Sequence, residues 1–192
     1  MKKFILGILI TISVSTFSYE YNNVDKTIYS RAIEIREVIE PIETELKPIN
    51  DFEAFQDAIG FRESSDDYKA INKFGYIGRY QFGKMALKDV GIDNTDEFIK
   101  NPDIQDAAFL TLCSVNQKRL KKYISKYVGK TINGIEITES GMIAASHLVG
   151  AGSVKKYLRS NGKKIRKDGN GTSLEHYLEL FGNYDLKLIA QK

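Results

Sequence analysis

The sequence has only one cysteine, two histidines and no tryptophan among its 192 residues. A single thiol cannot form an intramolecular disulfide, so the fold must depend on its packed core. Cys113 lies in a helical pattern, and we expect it to be a small buried apolar side chain. The histidines and the cysteine lack the ligand spacing of a zinc site, and the glycines near Gly75 precede no Lys-Ser or Lys-Thr pair of a phosphate-binding loop. No metal and no cofactor is therefore predicted.

Only one long apolar run occurs, at the amino terminus. Lys2 and Lys3 precede apolar residues 4–14, and small polar residues follow up to Ser18. This order is typical of a secretory signal peptide, and the run is shorter than the roughly 20 apolar residues of a membrane span. We expect residues 1–18 to be cleaved off, leaving a soluble periplasmic or secreted chain without a membrane span. The absence of a cysteine at the cleavage point excludes a lipid anchor there.

Acidic and basic residues nearly balance. The formal net charge of +3 falls to +1 when residues 1–18, with two lysines and no acid, are removed. Nucleic-acid-binding domains are usually strongly basic with a clustered footprint. A basic cluster does lie between Lys155 and Lys167, but the near-neutral charge and the expected export argue against a nucleic-acid partner.

Hydrophobic periodicity predicts one mainly helical domain over residues 51–185. Residues 19–50 before it form a polar tether that is either an unstructured spacer or contains a short helix, and residues 186–192 form a tail. The Asn133-Gly134 pair predicts a tight turn, and residues 161–171 are expected to form an exposed loop. Seven helices are predicted. The first is capped by Asn50 or Asp51 and ends near residue 63, and two short helices follow over residues 84–90 and 95–100. A long helix begins at Pro102, a further helix covers residues 142–149, another begins near Ser153, and the last is capped by Thr172 or Ser173.

One constellation of residues suggests chemistry. Glu63 lies where the first predicted helix runs into polar residues 64–67, and residues 70–83 then alternate aromatics with glycines in the manner of a turn or short hairpin. A glutamate that is half-desolvated at the wall of a groove can hold a proton near neutral pH and donate it to a leaving oxygen. Most glutamates near helix ends are solvated and carry no chemistry, so the pair Glu63-Ser64 alone would mean little.

Three blocks of residues share their order and spacing with a known family. In the first, Glu63-Ser64 is followed by Ala70, Gly75, Gly78 and Gln81. In the second, Asn101-Pro102 opens the long apolar helix, and the third comprises residues 144–158, with glycines at 150 and 152. Together they resemble the soluble lytic transglycosylases of the lysozyme-like superfamily over about residues 51–158. The chain departs from the family pattern in having Ser146-His147 instead of Tyr-Asn, one extra residue before the glycine pair, and Arg79-Tyr80 instead of an apolar pair.

The resemblance implies a mainly α, lysozyme-like α+β fold, in which a short hairpin or loop forms one side of a substrate groove. It implies cleavage of the β-1,4 bond between N-acetylmuramic acid and N-acetylglucosamine in peptidoglycan, with Glu63 as the single acid and base. The muramyl 6-hydroxyl would attack the anomeric carbon and leave a 1,6-anhydro end without the entry of water. Peptidoglycan glycan strands are then the expected partner of a monomeric enzyme.

Five residues are expected to bind the substrate: Ser64, Tyr76, Tyr80, Gln81 and His147. The amide of Gln81 offers a donor and an acceptor to an acetamido group, and aromatic side chains offer flat apolar faces to sugar rings. Ser64 is expected to hydrogen-bond either the Glu63 carboxyl group or the neighbouring backbone. For His147 the alternative is a buried ring beneath the groove. Other aromatic candidates, each with core packing as the alternative, are Phe82, Tyr157 and Tyr184.

Two other functions fit the same pattern. A hydrolytic muramidase of the same fold needs a second carboxylate. Asp66 and Asp67 are the only acids close enough to Glu63 in sequence, and both are expected first as turn residues. A non-catalytic peptidoglycan-binding envelope protein would not need the acid at all.

Overall fold

The computed structural model describes residues 51–187. The predicted signal peptide, the tether over 19–50 and residues 188–192 of the predicted tail lie outside the described residues. Within them the chain forms seven helices and one two-stranded sheet: α1 (Phe52–Ser64), α2 (Lys84–Asp89), α3 (Thr95–Lys100), α4 (Pro102–Tyr127), β1 (Thr131–Ile132), β2 (Ile135–Glu136), α5 (Glu139–Val149), α6 (Ala151–Arg159) and α7 (Leu174–Leu180). The prediction of a mainly helical domain is confirmed. None of the helices between residues 51 and 187 has the length and hydropathy that crossing a membrane requires.

Helix α1 carries its start and stop signals in its own sequence. The Asp51 side chain accepts a hydrogen bond from the backbone N–H of Ala54 at 3.0 Å and caps the helix. Phe55 and Ile59 face the core and are fully buried. The helix ends where Ser65 adopts the left-handed conformation, with φ of 56°. The last turn of α1 therefore carries Glu63, as predicted.

Helix α4 is the longest helix of the described residues. Asn101 caps it by accepting hydrogen bonds from the backbone N–H groups of Asp103 and Ile104, and Pro102 occupies its first turn. One face is buried, including the side chain of Cys113, and burial raises the pKa of that thiol. The expectation that Cys113 is a buried apolar side chain is confirmed.

Helix α5 runs through the centre of the domain. Its residues 140–146 are all buried, and it packs against α4, α6 and α7. Gly150, with φ of 78°, separates α5 from α6. Helix α6 begins directly at Ala151, so the prediction that it begins near Ser153 is wrong: Gly152 lies inside the helix rather than breaking it.

Two short β elements complete the fold. The antiparallel pair β1–β2 matches Thr131 with Glu136 and Ile132 with Ile135, and both residues of the predicted Asn133-Gly134 turn have positive φ. In residues 70–83, Ile77 forms isolated bridges with Ile71 and Phe82. That segment is thus a bridged loop rather than a regular hairpin.

Candidate active site

A narrow cleft lies beside the end of α1. Its volume is about 60 Å³, and we call it the Glu63 cleft. Its lining residues are Glu63, Asn72, Phe74, Tyr76, Gln81, His147, Leu148, Asp168, Gly169 and Asn170. A wider outer groove of about 610 Å³ adjoins it and shares the residues Phe74, Tyr76, Gln81, His147 and Leu148. The fold thus brings Glu63 together with three of the five predicted substrate-binding residues, namely Tyr76, Gln81 and His147.

Tyr177 of α7 holds the carboxyl group of Glu63. The Tyr177 phenol donates to Glu63 Oε1 at 2.6 Å, and the Glu63 side chain is only 16% exposed. Burial, followed by the Glu63 carboxylate, raises the pKa of the Tyr177 phenol far above its ordinary value, so the phenol remains a donor at neutral pH. Oε2 has no hydrogen-bond partner within residues 51–187 and can interact with a ligand. Sequence reasoning missed this contact, because Tyr177 lies 114 residues after Glu63.

His147 lies beneath the cleft. Its Nε2 is 2.8 Å from the Tyr80 carbonyl oxygen and 3.9 Å from Glu63 Oε1. A carbonyl oxygen only accepts, so Nε2 must carry the hydrogen. The ring packs edge-on against Phe82 and Phe109, and its buried Nδ1 has no hydrogen-bond partner in the described part of the chain. His147 therefore lines the cleft as a packed ring whose Nε2–H is already engaged.

Gln81 is held in the cleft wall by its own loop. It adopts φ of 50°, and its side-chain Nε2 donates to the Gly78 carbonyl oxygen at 2.9 Å. Its Oε1 has no partner among the described residues. That oxygen can accept a hydrogen bond from a substrate N–H or O–H.

Ser64 does not line the cleft, contrary to the prediction that it contacts substrate. Its hydroxyl donates to the Arg79 carbonyl oxygen at 2.8 Å and accepts from the backbone N–H of Asp67 at 3.0 Å. The backbone alternative for Ser64 is the one observed. Ser64 thus ties the end of α1 to the loop over residues 70–83.

The prediction that Tyr80 binds substrate is wrong, because its side chain is fully buried. The Tyr80 ring stacks on Phe109 with centroids 4.3 Å apart, and its hydroxyl donates to Asp106 Oδ1 at 2.6 Å. Phe82 and Tyr157 are also core residues, with 1% and 0% exposure. Tyr184 packs edge-on against Phe55.

Arg79 explains why Tyr80 points inward. Its guanidinium lies 2.6 Å from Asp57 and 2.9 Å from Asp66, and it also donates to the Tyr80 hydroxyl. Burial alone would lower the pKa of Arg79, but the hydrogen bond to Asp57, the Tyr80 phenol and the bond to Asp66 raise it above its ordinary value. Asp66 is therefore part of an ion cluster that fixes the loop. Asp67 caps its own turn by accepting from the Lys69 N–H at 2.8 Å, so neither acid lines the cleft.

The second carboxylate of the cleft is Asp168. Its Oδ1 accepts hydrogen bonds from the backbone N–H groups of Thr172 at 2.7 Å and Asn170 at 3.0 Å. Oδ2 has no hydrogen-bond partner among residues 51–187. The exposed loop expected over residues 161–171 thus folds so that Asp168 lines the cleft with Glu63. The sequence predicts a loop around Asp168 but contains nothing that connects this residue to Glu63.

Two exposed aromatic side chains complete the wall. Phe74 is 50% and Tyr76 44% exposed, and both line the Glu63 cleft and the outer groove. Flat apolar faces at such a site suit the apolar faces of sugar rings. Sequence reasoning chose Tyr76 but missed Phe74, which belongs to the same alternating segment.

Residues 51–187 contain no group of three or more His, Cys, Asp or Glu side chains that is arranged to hold a metal ion. The arrangement can perform proton transfer at Glu63, with Asp168 as a second carboxylate nearby. The chain matches no protein-family model, no curated protein and no solved structure.

Proposed function

We propose that the protein is a lysozyme-like lytic transglycosylase that cleaves the glycan strands of peptidoglycan with Glu63 as its acid. One observation carries the proposal: a mostly buried glutamate, with one carboxyl oxygen held by Tyr177, lines a cleft whose outer wall has exposed aromatic rings. The resemblance of the three sequence blocks supports the same function. The predicted export would bring the protein to this substrate.

In the proposed reaction, Glu63 Oε2 donates its proton to the oxygen of the breaking glycosidic bond. Tyr177 fixes the orientation of the carboxyl group during this transfer because it binds Oε1. The resulting carboxylate then accepts the proton of the muramyl 6-hydroxyl as that oxygen bonds to the anomeric carbon. The products are a free hydroxyl on one fragment and a 1,6-anhydro ring on the other, and no water is consumed.

The cleft walls offer specific contacts to such a strand. Phe74 and Tyr76 present ring faces to the sugars, and Gln81 Oε1 accepts a hydrogen bond from an acetamido N–H. These contacts lie on the loop that Arg79 and Ser64 fix against α1. The rigid loop therefore holds the binding groups in register with the acid.

Hydrolysis by the same fold is a second candidate, and Asp168 is the observation that favours it. Glycoside hydrolysis normally uses two carboxyl groups, one as the acid and one as the base or nucleophile. Asp168 lines the same cleft as Glu63, and its Oδ2 has no partner in the described residues. In a muramidase, Asp168 would take a proton from the attacking water or bond to the anomeric carbon.

Digestion of purified sacculi followed by mass spectrometry tests the proposal. Anhydro-muropeptides, one water lighter than hydrolysis products, are expected from the parent protein. Glu63→Gln should lower their release by at least about 100-fold, because the amide cannot donate the catalytic proton. Glu136→Gln, which removes an exposed carboxylate on β2, is the matched control and should leave the rate unchanged. Binding of sacculi without release of any soluble fragment would instead favour a non-catalytic binding protein.

Asp168→Asn separates the two reactions. Asparagine retains an oxygen that can accept from the Thr172 and Asn170 N–H groups, so the loop should keep its conformation. A transglycosylase variant continues to form anhydro ends. A muramidase would form ordinary reducing ends in the parent and lose them in the variant.

A further inference from the structure

A second groove, rich in basic side chains, lies where the end of α5 meets α6 and the following loop. Its volume is about 640 Å³, and we call it the basic groove. Its lining residues are Val149, Ser153, Lys156, Lys163, Lys164, Ile165 and Arg166. Four of these seven side chains are cationic and none is acidic. The groove therefore concentrates positive charge on a domain whose overall charge is small.

The charges of the basic groove are not neutralised by neighbouring acids. None of its four cations forms an ion pair within residues 51–187, whereas Arg79, Arg119 and Lys187 each bind a carboxylate. Unpaired cations gathered in a concave surface raise the local concentration of anions. The arrangement suits an anionic ligand.

The backbone that presents these cations is ordered by hydrogen bonds. The Lys164 N–H donates to the Ser160 hydroxyl at 3.0 Å, and the Arg166 carbonyl oxygen accepts from the Leu174 N–H at 2.9 Å. These two hydrogen bonds fix the loop on both sides of Ile165, whose side chain is 47% exposed. Positions held by the backbone make a site more selective than lysines on a freely moving segment.

The basic groove lies beside the Glu63 cleft along two stretches of chain. On α5, Val149 of the groove follows His147 and Leu148 of the cleft, and on the loop Arg166 precedes Asp168 of the cleft by two residues. The two surfaces are thus lined by neighbouring residues at two places, which makes the basic groove a candidate site for a substituent of a ligand held at Glu63.

We propose that the basic groove binds the carboxylate groups of the stem peptides, so that peptide-bearing glycan strands are the preferred substrate. This rests on the proposed function. Each muramic acid carries a short peptide through its lactyl group, with free carboxylates that match the cations and alanyl methyl groups that match Ile165. A nucleic acid fits less well, because the groove lining contains no aromatic side chain on which bases could stack.

Binding of the uncleaving Glu63→Gln protein tests the inference. Two ligands are compared: sacculi free of teichoic acid, and the same glycan strands after an amidase has removed their peptides. The groove variant is Lys156→Gln/Lys163→Gln/Lys164→Gln, and the matched control is Lys118→Gln/Lys121→Gln/Lys122→Gln on α4. All six lysines are exposed, so both variants should fold, and they carry the same change of charge.

We expect the groove variant to bind peptide-bearing strands roughly 10-fold more weakly than the control, since three screened surface pairs are lost. The difference should shrink at high salt and vanish on peptide-free strands. Equal binding by the two triple variants, or equal affinity for both kinds of strand, would overturn the inference. The inference would also be overturned if the groove variant bound a DNA oligonucleotide more weakly than the control but bound peptide-bearing strands equally well. The proposed function is tested by a different measurement: it would be refuted if the parent protein, with Glu63 intact, cleaved neither kind of strand.

Discussion

Tyr177 and Glu63, which are 114 residues apart in the sequence, are joined by a hydrogen bond of 2.6 Å from the phenol oxygen to Oε1. The bond connects the last helix, α7, to the last turn of α1, so the orientation of the proposed acid depends on the packing of both chain ends of the domain. Because Tyr177 is 2% exposed, the bond is shielded from water and is stronger than a surface hydrogen bond.

Tyr177→Phe should therefore lower the cleavage rate by about 10–100-fold, since a hydrogen bond to a charged group contributes roughly 1.5–3 kcal/mol. The loss should appear in kcat more than in KM, because the phenol binds the acid and does not itself line the Glu63 cleft. Initial rates of fragment release from sacculi measure it.

Tyr157→Phe is the control for this change. Tyr157 is equally buried, and its phenol donates to Glu175 Oε1 at 2.9 Å, outside the cleft. Both variants should lose a similar amount of stability, and only Tyr177→Phe should lose activity. A similar loss of rate in the two variants would show that general destabilisation, rather than the bond to Glu63, is responsible.

Elements with local signals could be predicted from the sequence. Asp51 caps α1, Asn101-Pro102 opens α4, and Asn133-Gly134 forms the turn between the strands. In each case the determining groups lie within four residues of one another, so no knowledge of the tertiary fold is needed.

The rest of the site depends on contacts between distant segments. Tyr80 lies in an alternating segment that suggested exposure, but its hydroxyl meets Asp106 and its ring meets Phe109, both on α4. Asp168 and Tyr177 reach the Glu63 carboxyl region only because the tertiary fold brings α7 and the loop before it close to the end of α1. A single sequence contains no local signal for contacts between residues that lie this far apart in the chain.

Gly60→Ala should destabilise the protein, although this change normally stabilises a helix interior by roughly 0.5–1 kcal/mol. A Cβ atom at Gly60 would overlap Arg79 Nε and lie 2.8 Å from Asp66 Oδ1. Arg79 cannot move aside without breaking its ion pairs with Asp57 and Asp66. We expect a loss of about 1–3 kcal/mol in the free energy of unfolding by urea.

Gly152→Ala is the opposite case and serves as the control. Gly152 is exposed in α6, and a Cβ atom there meets nothing within 4 Å. This variant should gain up to about 1 kcal/mol from helix propensity. If Gly60→Ala stabilised the protein to the same extent, the Arg79 cluster would be more adaptable than the structure indicates.

Gly78→Ala should be more damaging than Gly75→Ala, although both glycines have φ near 77°. Each substitution costs about 1–2 kcal/mol for the left-handed backbone. At Gly75 there is open space, but at Gly78 the Cβ atom would overlap the Gln105 side chain, which is anchored by the N–H of Arg79 and by backbone carbonyl oxygens.

We therefore expect Gly78→Ala to lose at least about 1 kcal/mol more than Gly75→Ala in urea unfolding. It should also displace Gln81, whose side chain binds the Gly78 carbonyl oxygen, and so weaken substrate binding. Equal stability of the two variants would mean that Gln105 can give way without cost.

Alkaline pH should destabilise the fold through its buried tyrosines. Burial, followed by interactions that include the carboxylates of Asp106, Glu175 and Glu63, raises the pKa values of Tyr80, Tyr157 and Tyr177. Below a pH of about 10 these phenols are protonated in both the folded and unfolded states, so they add no pH dependence. Above it the unfolded chain releases protons that the folded chain keeps, and the free energy of unfolding falls by about 1.4 kcal/mol per pH unit for each tyrosine.

Urea unfolding between pH 9 and pH 11 measures this slope. Lysines also titrate in that range, so the informative quantity is the difference between the parent protein and each Tyr→Phe variant. Tyr157→Phe and Tyr177→Phe should each reduce the slope above pH 10 by up to about 1.4 kcal/mol per pH unit, because each removes one such group. An unchanged slope in both variants would mean that these phenols ionise as readily in the folded protein as in the unfolded chain, which their burial and their bonds to Glu175 and Glu63 oppose.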